Sequence, residues 1–203
     1  SGVLTLAQAA PLVRFRAQAM QEAVPVGTGA MAAILGLDDA TVIQVCAEAS
    51  AASGGVVEAV NFNAPGQVVI AGASDAVTKA CELLKAAGAK RALPLPVSAP
   101  FHSSLLQPAS EKLKSYLENI EFHVPCMPVI NNVDVSILQT PEQIKDALVR
   151  QAAKPVRWRL ARAGSAPSVL ATAAIAASSS ISPTSDKATG PSASCAPIAA
   201  GRP

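Results

Sequence analysis

Between residues 31 and 98 the apolar residues repeatedly switch period, and this succession constrains the fold more than any other feature. MAAILGL (31–37) is a short apolar run suited to a buried strand. DDATVIQVCAEAS (38–50) opens with helix-capping aspartates and carries Val42, Ile43, Cys46 and Ala47 on one helical face. VVEAVNF (56–62) and QVVIAG (67–72) read as strands joined by NAPG (63–66), whose Pro-Gly pair fits a type II turn. SDAVTKACELLKAAG (74–88) reads as a helix capped by Ser74, striped by Val77, Cys81 and Leu84, and stopped by Gly88. RALPLPVS (91–98) alternates Leu93, Leu95 and Val97, and its prolines, on the other face, favour an edge or terminal strand.

The resulting order, β-α-β-β-α-β, is that of a ferredoxin-like split βαβ unit. Ahead of it, residues 9–24 read as a helix, with Pro11 expected in the first turn. Val13, Ala17, Met20 and Val24 form its apolar stripe, and Arg16 lies at the margin. Behind it follow a helix at 107–118, an apolar strand PVINNV (128–133) and a helix at 141–151 that starts on Pro141. From about Leu160 to Pro203 the chain is rich in Ala, Ser and Pro and shows no sustained period, so a disordered tail is expected.

Charge and composition narrow the function classes. A formal charge of +2 on 203 residues, no basic cluster and 3% aromatics argue against nucleic acid. Cys46, Cys81, Cys126 and Cys195 are scattered, which favours free thiols in a reducing cytoplasm over a disulfide framework. The apolar run Val169–Ala177 is too short to cross a bilayer, so no membrane association is expected.

Two residues invite chemistry. His102 stands in SAPFHSSLL (98–106) beside Ser103 and Ser104. A histidine base needs a nucleophile within hydrogen-bond reach and a third group that fixes its tautomer, and sequence adjacency supplies neither. A packed structural histidine is the plainer reading. No metal site is expected, because His123 and the cysteines lack ligand spacing. Arg16 can lay its stem along the core and solvate its head, or hold a carboxylate bidentately. The chain contains no G-x-S-x-G; GASDA (72–76) comes nearest and reads better as a helix start.

The blocks RAQAMQEAVPVGTGAMAAILGLDD, VEAVNFNAPGQVVIAG, AAGAKRALPLPVSAPFHSSLL, PVINNVDV and DALVRQ stand in this order. Together they resemble the malonyl-CoA:acyl-carrier-protein transacylases of bacterial fatty-acid synthesis, from about Gly2 to Trp158. The resemblance implies an α/β fold with an α+β insert. Residues 1–30 and 99–159 would form part of an α/β-hydrolase-like acyltransferase core, with the ferredoxin-like subdomain inserted at 31–98. It assigns His102 as general base and the Gln151 backbone carbonyl as the group that orients it. Arg16 would bind the malonyl carboxylate, Phe101 would wall the acyl site, and Asn61 and Asn63 would face coenzyme A or the carrier protein. Malonyl-CoA and a phosphopantetheinylated acyl carrier protein are the implied substrates, with no further cofactor and a usually monomeric enzyme. In this pattern the nucleophilic serine sits in a strand-to-helix elbow, expected about ten residues ahead of Ser1. After PVRW the family pattern is no longer recognisable. Residues 1–203 alone are therefore expected to be inactive, and the alternatives are a non-catalytic carrier-protein-binding module or an inactive gene remnant.

Overall fold

The computed structural model describes residues 1–97 and 99–163, together with the backbone of 170–171. Helix α1 (Leu6–Glu22) starts at Thr5, whose side chain accepts from the Gln8 backbone while Gln8 reaches back to the Thr5 N–H. This capping box starts the helix three residues before the expected 9, which places Pro11 inside the helix rather than in its first turn. The buried line of α1 is Leu12, Arg16 and Ala19, with Met20 beside it. Of the stripe expected from apolar residues alone, Met20 and Val24 are buried, whereas Val13 and Ala17 are only partly so. The line that faces the core passes through Arg16, which an apolar count skips.

Four antiparallel strands form the main sheet: β1 (Gly29–Leu35), β2 (Val57–Ala64), β3 (Gln67–Ala73) and β4 (Arg91–Pro94), in the order β2-β3-β1-β4. The β2–β3 turn closes on Pro65 and Gly66, with Gly66 at φ 69°, a conformation glycine adopts without strain. Helices α2 (Asp39–Ser53) and α3 (Ser74–Ala86) cover one sheet face, where Ile34, Val68 and Ile70 pack against Val42, Val45, Val77 and Leu84. On α2, Val45 and Ala49 are buried, whereas Ile43 and Ala47 are exposed. Val42 and Cys46 of the expected stripe are buried, and Val45 and Ala49 take the places given to Ile43 and Ala47, because an Ala-rich helix offers several equally apolar faces. Ser74 does not cap α3: Ala73 holds the cap position, and the Ser74 hydroxyl donates to the Gly27 carbonyl at 3.0 Å. Cys81 is only partly buried, and Ala76 and Ala80 fill the core side instead. β4 lies at the sheet edge but ends at Pro94, and Ala92 rather than Leu93 faces the core.

The opposite sheet face follows from the two-residue period of a strand. Met31, Val60, Val69 and Ala71 point there and pack with Leu95, Val97 and Phe101. A second core joins α1 to α4 (Gln107–Glu118) and α5 (Pro141–Ala153) through Leu12, Met20, Leu106, Leu113, Leu117 and Ala152. Phe101 touches both cores. The outer edge of β2 is stitched to the chain after α5, since Phe62 N–H donates to the Val156 carbonyl and Val156 N–H to that of Val60.

The expected strand at 128–133 shrinks to β5 (Val129–Ile130). The Asn131 side chain accepts from the N–H groups of Val133 and Asp134, and so folds the chain into a turn. β5 pairs in parallel with β6 (Leu170–Ala171). Residues 160–163, assigned above to the tail, belong to helix α6 (Trp158–Ala163), in which Ala161 is buried. The rest of that expectation, at 164–169 and 172–203, lies outside the described residues. Cys46, Cys81 and Cys126 are free thiols. No helix among the described residues is long and apolar enough to cross a membrane.

Candidate active site

His102 sits in a loop held on both sides. The Ser103 backbone N–H and hydroxyl both donate to the Pro100 carbonyl, at 3.3 and 2.7 Å, and the Ser104 N–H donates to Glu58 on β2 at 2.7 Å. Between these ties His102 takes φ 64°, the left-handed region, which costs a non-glycine residue roughly 1 kcal/mol. The turn aims the imidazole at the C-terminal end of α5, where the last carbonyls lack intrahelical partners. Nδ1 lies 2.7 Å from the Gln151 carbonyl oxygen. A carbonyl can only accept, so Nδ1 carries the proton and Nε2 keeps its lone pair. Among the described residues Nε2 makes no hydrogen bond.

Burial pushes the His102 pKa from the usual 6.5 down to about 4. The Gln151 carbonyl pulls the other way, and the nearby Arg16 charge lowers it further. At neutral pH the ring is therefore uncharged, the form a general base requires.

Arg16 is only 5% exposed, and burial lowers its pKa to about 10, so it remains a cation at neutral pH. Its Nη2 donates to the Gln151 side-chain oxygen at 3.3 Å, and Gln151 Nε2 donates in turn to Asn132 Oδ1 at 2.7 Å. Gln151 thus meets the imidazole with its main chain and the guanidinium with its side chain. The structure brings His102, Arg16 and Gln151 together, with Phe101 next to His102 in the same loop. Asn61 and Asn63 lie on β2, three and five residues beyond the Glu58 anchor, and hydrogen-bond to neither His102 nor Gln151.

Sequence reasoning missed Asn132, Glu58 and the side-chain role of Gln151. The available signal was the Asn-Asn pair inside an otherwise apolar PVINNV, since buried amides demand partners.

No described residue is placed as a nucleophile for His102. The Ser103 hydroxyl is buried and committed to Pro100. Burial pushes the Cys46 thiol up to about 12 and raises that of Cys81, so neither supplies a thiolate at neutral pH. Gln151 and Asn132 also border an apolar cavity of about 280 Å³ with Val3, Leu4, Phe122 and Ile130. Among the described residues no cluster of His, Cys, Asp or Glu could hold a metal ion.

A neutral, oriented imidazole beside a buried guanidinium places a proton acceptor and a fixed cation side by side on a mixed α/β frame. The chain belongs to the acyl transferase domain family, whose model matches residues 1–188. It is 57% identical to the malonyl CoA-acyl carrier protein transacylase of Escherichia coli (strain K12) over 158 residues, which is 78% of this chain and 50% of that protein. Among solved structures it is 68% identical to the acyl-carrier-protein S-malonyltransferase of Burkholderia pseudomallei 1710b. That match has a TM-score of 0.75 and covers 77% of this chain and 50% of that one. It is also 55% identical, with a TM-score of 0.75, to a malonyl-transacylase in complex with its type II PKS acyl-carrier protein, again over 77% of this chain and 50% of that one. The chain spans about half the length of the curated relatives it matches.

Proposed function

We propose that this chain supplies the base and the carboxylate clamp for transfer of a malonyl group from malonyl-CoA to the phosphopantetheine thiol of an acyl carrier protein. In this reading a serine hydroxyl gives its proton to His102 Nε2 and attacks the thioester carbonyl. The coenzyme A thiolate leaves and takes that proton from the imidazolium. The carrier thiol then gives its proton to Nε2 and attacks the serine ester, and the serine oxygen recovers the proton as it departs. Gln151 holds the ring throughout by accepting from Nδ1. Arg16 neutralises the free carboxylate of the malonyl unit, which acetyl lacks, and Phe101 crowds the space a branched acyl group would need. Asn61 and Asn63 face the coenzyme or carrier side.

The finer architecture accompanies this reading. The unit from β1 to β4 is taken as a ferredoxin-like subdomain at 31–98, inserted into a partial α/β-hydrolase-like core of 1–30 and 99–159. Its support is the antiparallel β2-β3-β1-β4 order with α2 and α3 on one face. A cytoplasmic setting suits the scattered thiols and the coenzyme A substrate.

The observation that carries the proposal is the double contact of Gln151, by carbonyl to His102 and by side chain to Arg16. Calorimetric titration of the purified chain with malonyl-CoA and acetyl-CoA tests it. A preference for malonyl of about tenfold or more is expected from a charge-assisted pair, and it should vanish in Arg16→Ala. Equal affinities for the two thioesters in the unmodified chain would refute it.

A further inference from the structure

The amide chain behind Arg16 has a forced direction. Arginine can only donate, so Gln151 must turn its oxygen toward Arg16 Nη2. That leaves the Gln151 NH2 facing Asn132, which must then present its own oxygen, as it does at 2.7 Å. Asn132 is 4% exposed, and its Nδ2 is buried with no partner among the described residues. A buried amide bearing an unmatched donor lowers stability, so packing alone does not account for an asparagine at this position.

The backbone of Asn132 is fixed independently of its side chain. Its carbonyl accepts from the Arg157 N–H at 2.7 Å, and the Asn131 side chain closes the adjacent turn. The acceptor offered to Gln151 therefore stands on a rigid base. Were it lost, the Gln151 amide could rotate and present NH2 to a guanidinium that cannot accept.

We propose that Asn132 is a positioning residue for the carboxylate site: its Oδ1 fixes the orientation of the Gln151 amide, and through it the orientation of the Arg16 guanidinium. The malonyl substrate in the test below rests on the function proposed above, whereas the positioning of Gln151 stands on geometry alone.

Nitrogen-15 NMR of the full chain reads the Gln151 side-chain amide directly. In the unmodified chain its two protons should exchange slowly and resonate apart from those of the exposed Gln67. Asn132→Leu should move them to the exposed-glutamine position, whereas Asn132→Asp, which keeps an acceptor, should retain them. Calorimetry should show the malonyl-over-acetyl preference falling about tenfold in Asn132→Leu and staying within about threefold of the original in Asn132→Asp. A folded Asn132→Leu with unchanged Gln151 signals and preference overturns the inference. If that variant does not fold, rapid exchange of the Gln151 amide in the unmodified chain overturns it equally. An unmodified chain with no malonyl preference overturns the substrate reading, and the amide signals still decide the positioning.

Discussion

Acidification should remove stability from this fold through His102. The native imidazole is held down to about 4, chiefly by burial, against 6.5 in the unfolded chain. As pH falls the unfolded chain takes up a proton first, and the native ring refuses one until near pH 4. In that window the unfolded state binds more protons, so stability is complete above about pH 6.5 and declines toward pH 4. The separation of the two values corresponds to on the order of 3 kcal/mol, at about 1.4 kcal/mol per pH unit. Glu22, Asp38 and Asp134 are held below their usual values and lose stability in the same direction, so a difference measurement is needed. Urea unfolding at about pH 7 and about pH 4.5 should show the unmodified chain losing roughly 2–3 kcal/mol more than His102→Gln. Proton NMR gives the pKa directly, because the chain has two histidines and His123→Gln assigns the signals. A His102 resonance titrating near 6.5, or equal losses in the two chains, would refute the burial argument.

Other expectations follow from the packing. Gly72→Ala would drive a methyl group into the Val56 and Val57 backbone; because main chain cannot move aside, a loss of at least about 3 kcal/mol should appear in urea unfolding. Thr140→Ala removes the capping box of α5, the helix that carries Gln151, and should cost about 1 kcal/mol by thermal unfolding. Phe101→Ala should cost about 2–4 kcal/mol, since the ring touches two cores, and should raise calorimetric affinity for methylmalonyl-CoA relative to malonyl-CoA. Malonyl transfer to a carrier protein by residues 1–203 alone should be undetectable in a radiolabel assay, because no described hydroxyl or thiol is placed at His102 Nε2; turnover would contradict that geometry.

Where local signals agree, the elements stand where the sequence places them. Helix α4 occupies the expected 107–118, and the Pro65-Gly66 reversal joins β2 to β3. Errors clustered where the sequence offered equivalent choices. The Ala-rich α2 and α1 could turn any of several faces inward, and only contact with a neighbouring layer selected Val45 over Ile43 and Leu12 over Val13. PVINNV read as a strand because its apolar flanks outweighed Asn131, whose side chain supplies the turn's hydrogen bonds.

From β1 to β4, element types and their order were set by the chain itself, because period, caps and turn residues act over a few neighbours. The blocks around Arg16, His102 and Gln151 likewise carried the family resemblance. Tertiary structure alone decided the geometry of the site. It put Arg16 at the centre of a buried face, forced His102 to φ 64°, and joined Gln151 to residues 49 and 135 positions away in the chain. Such contacts depend on how helices and sheet dock, and docking is settled by the sum of many small packing choices that no short stretch of sequence encodes.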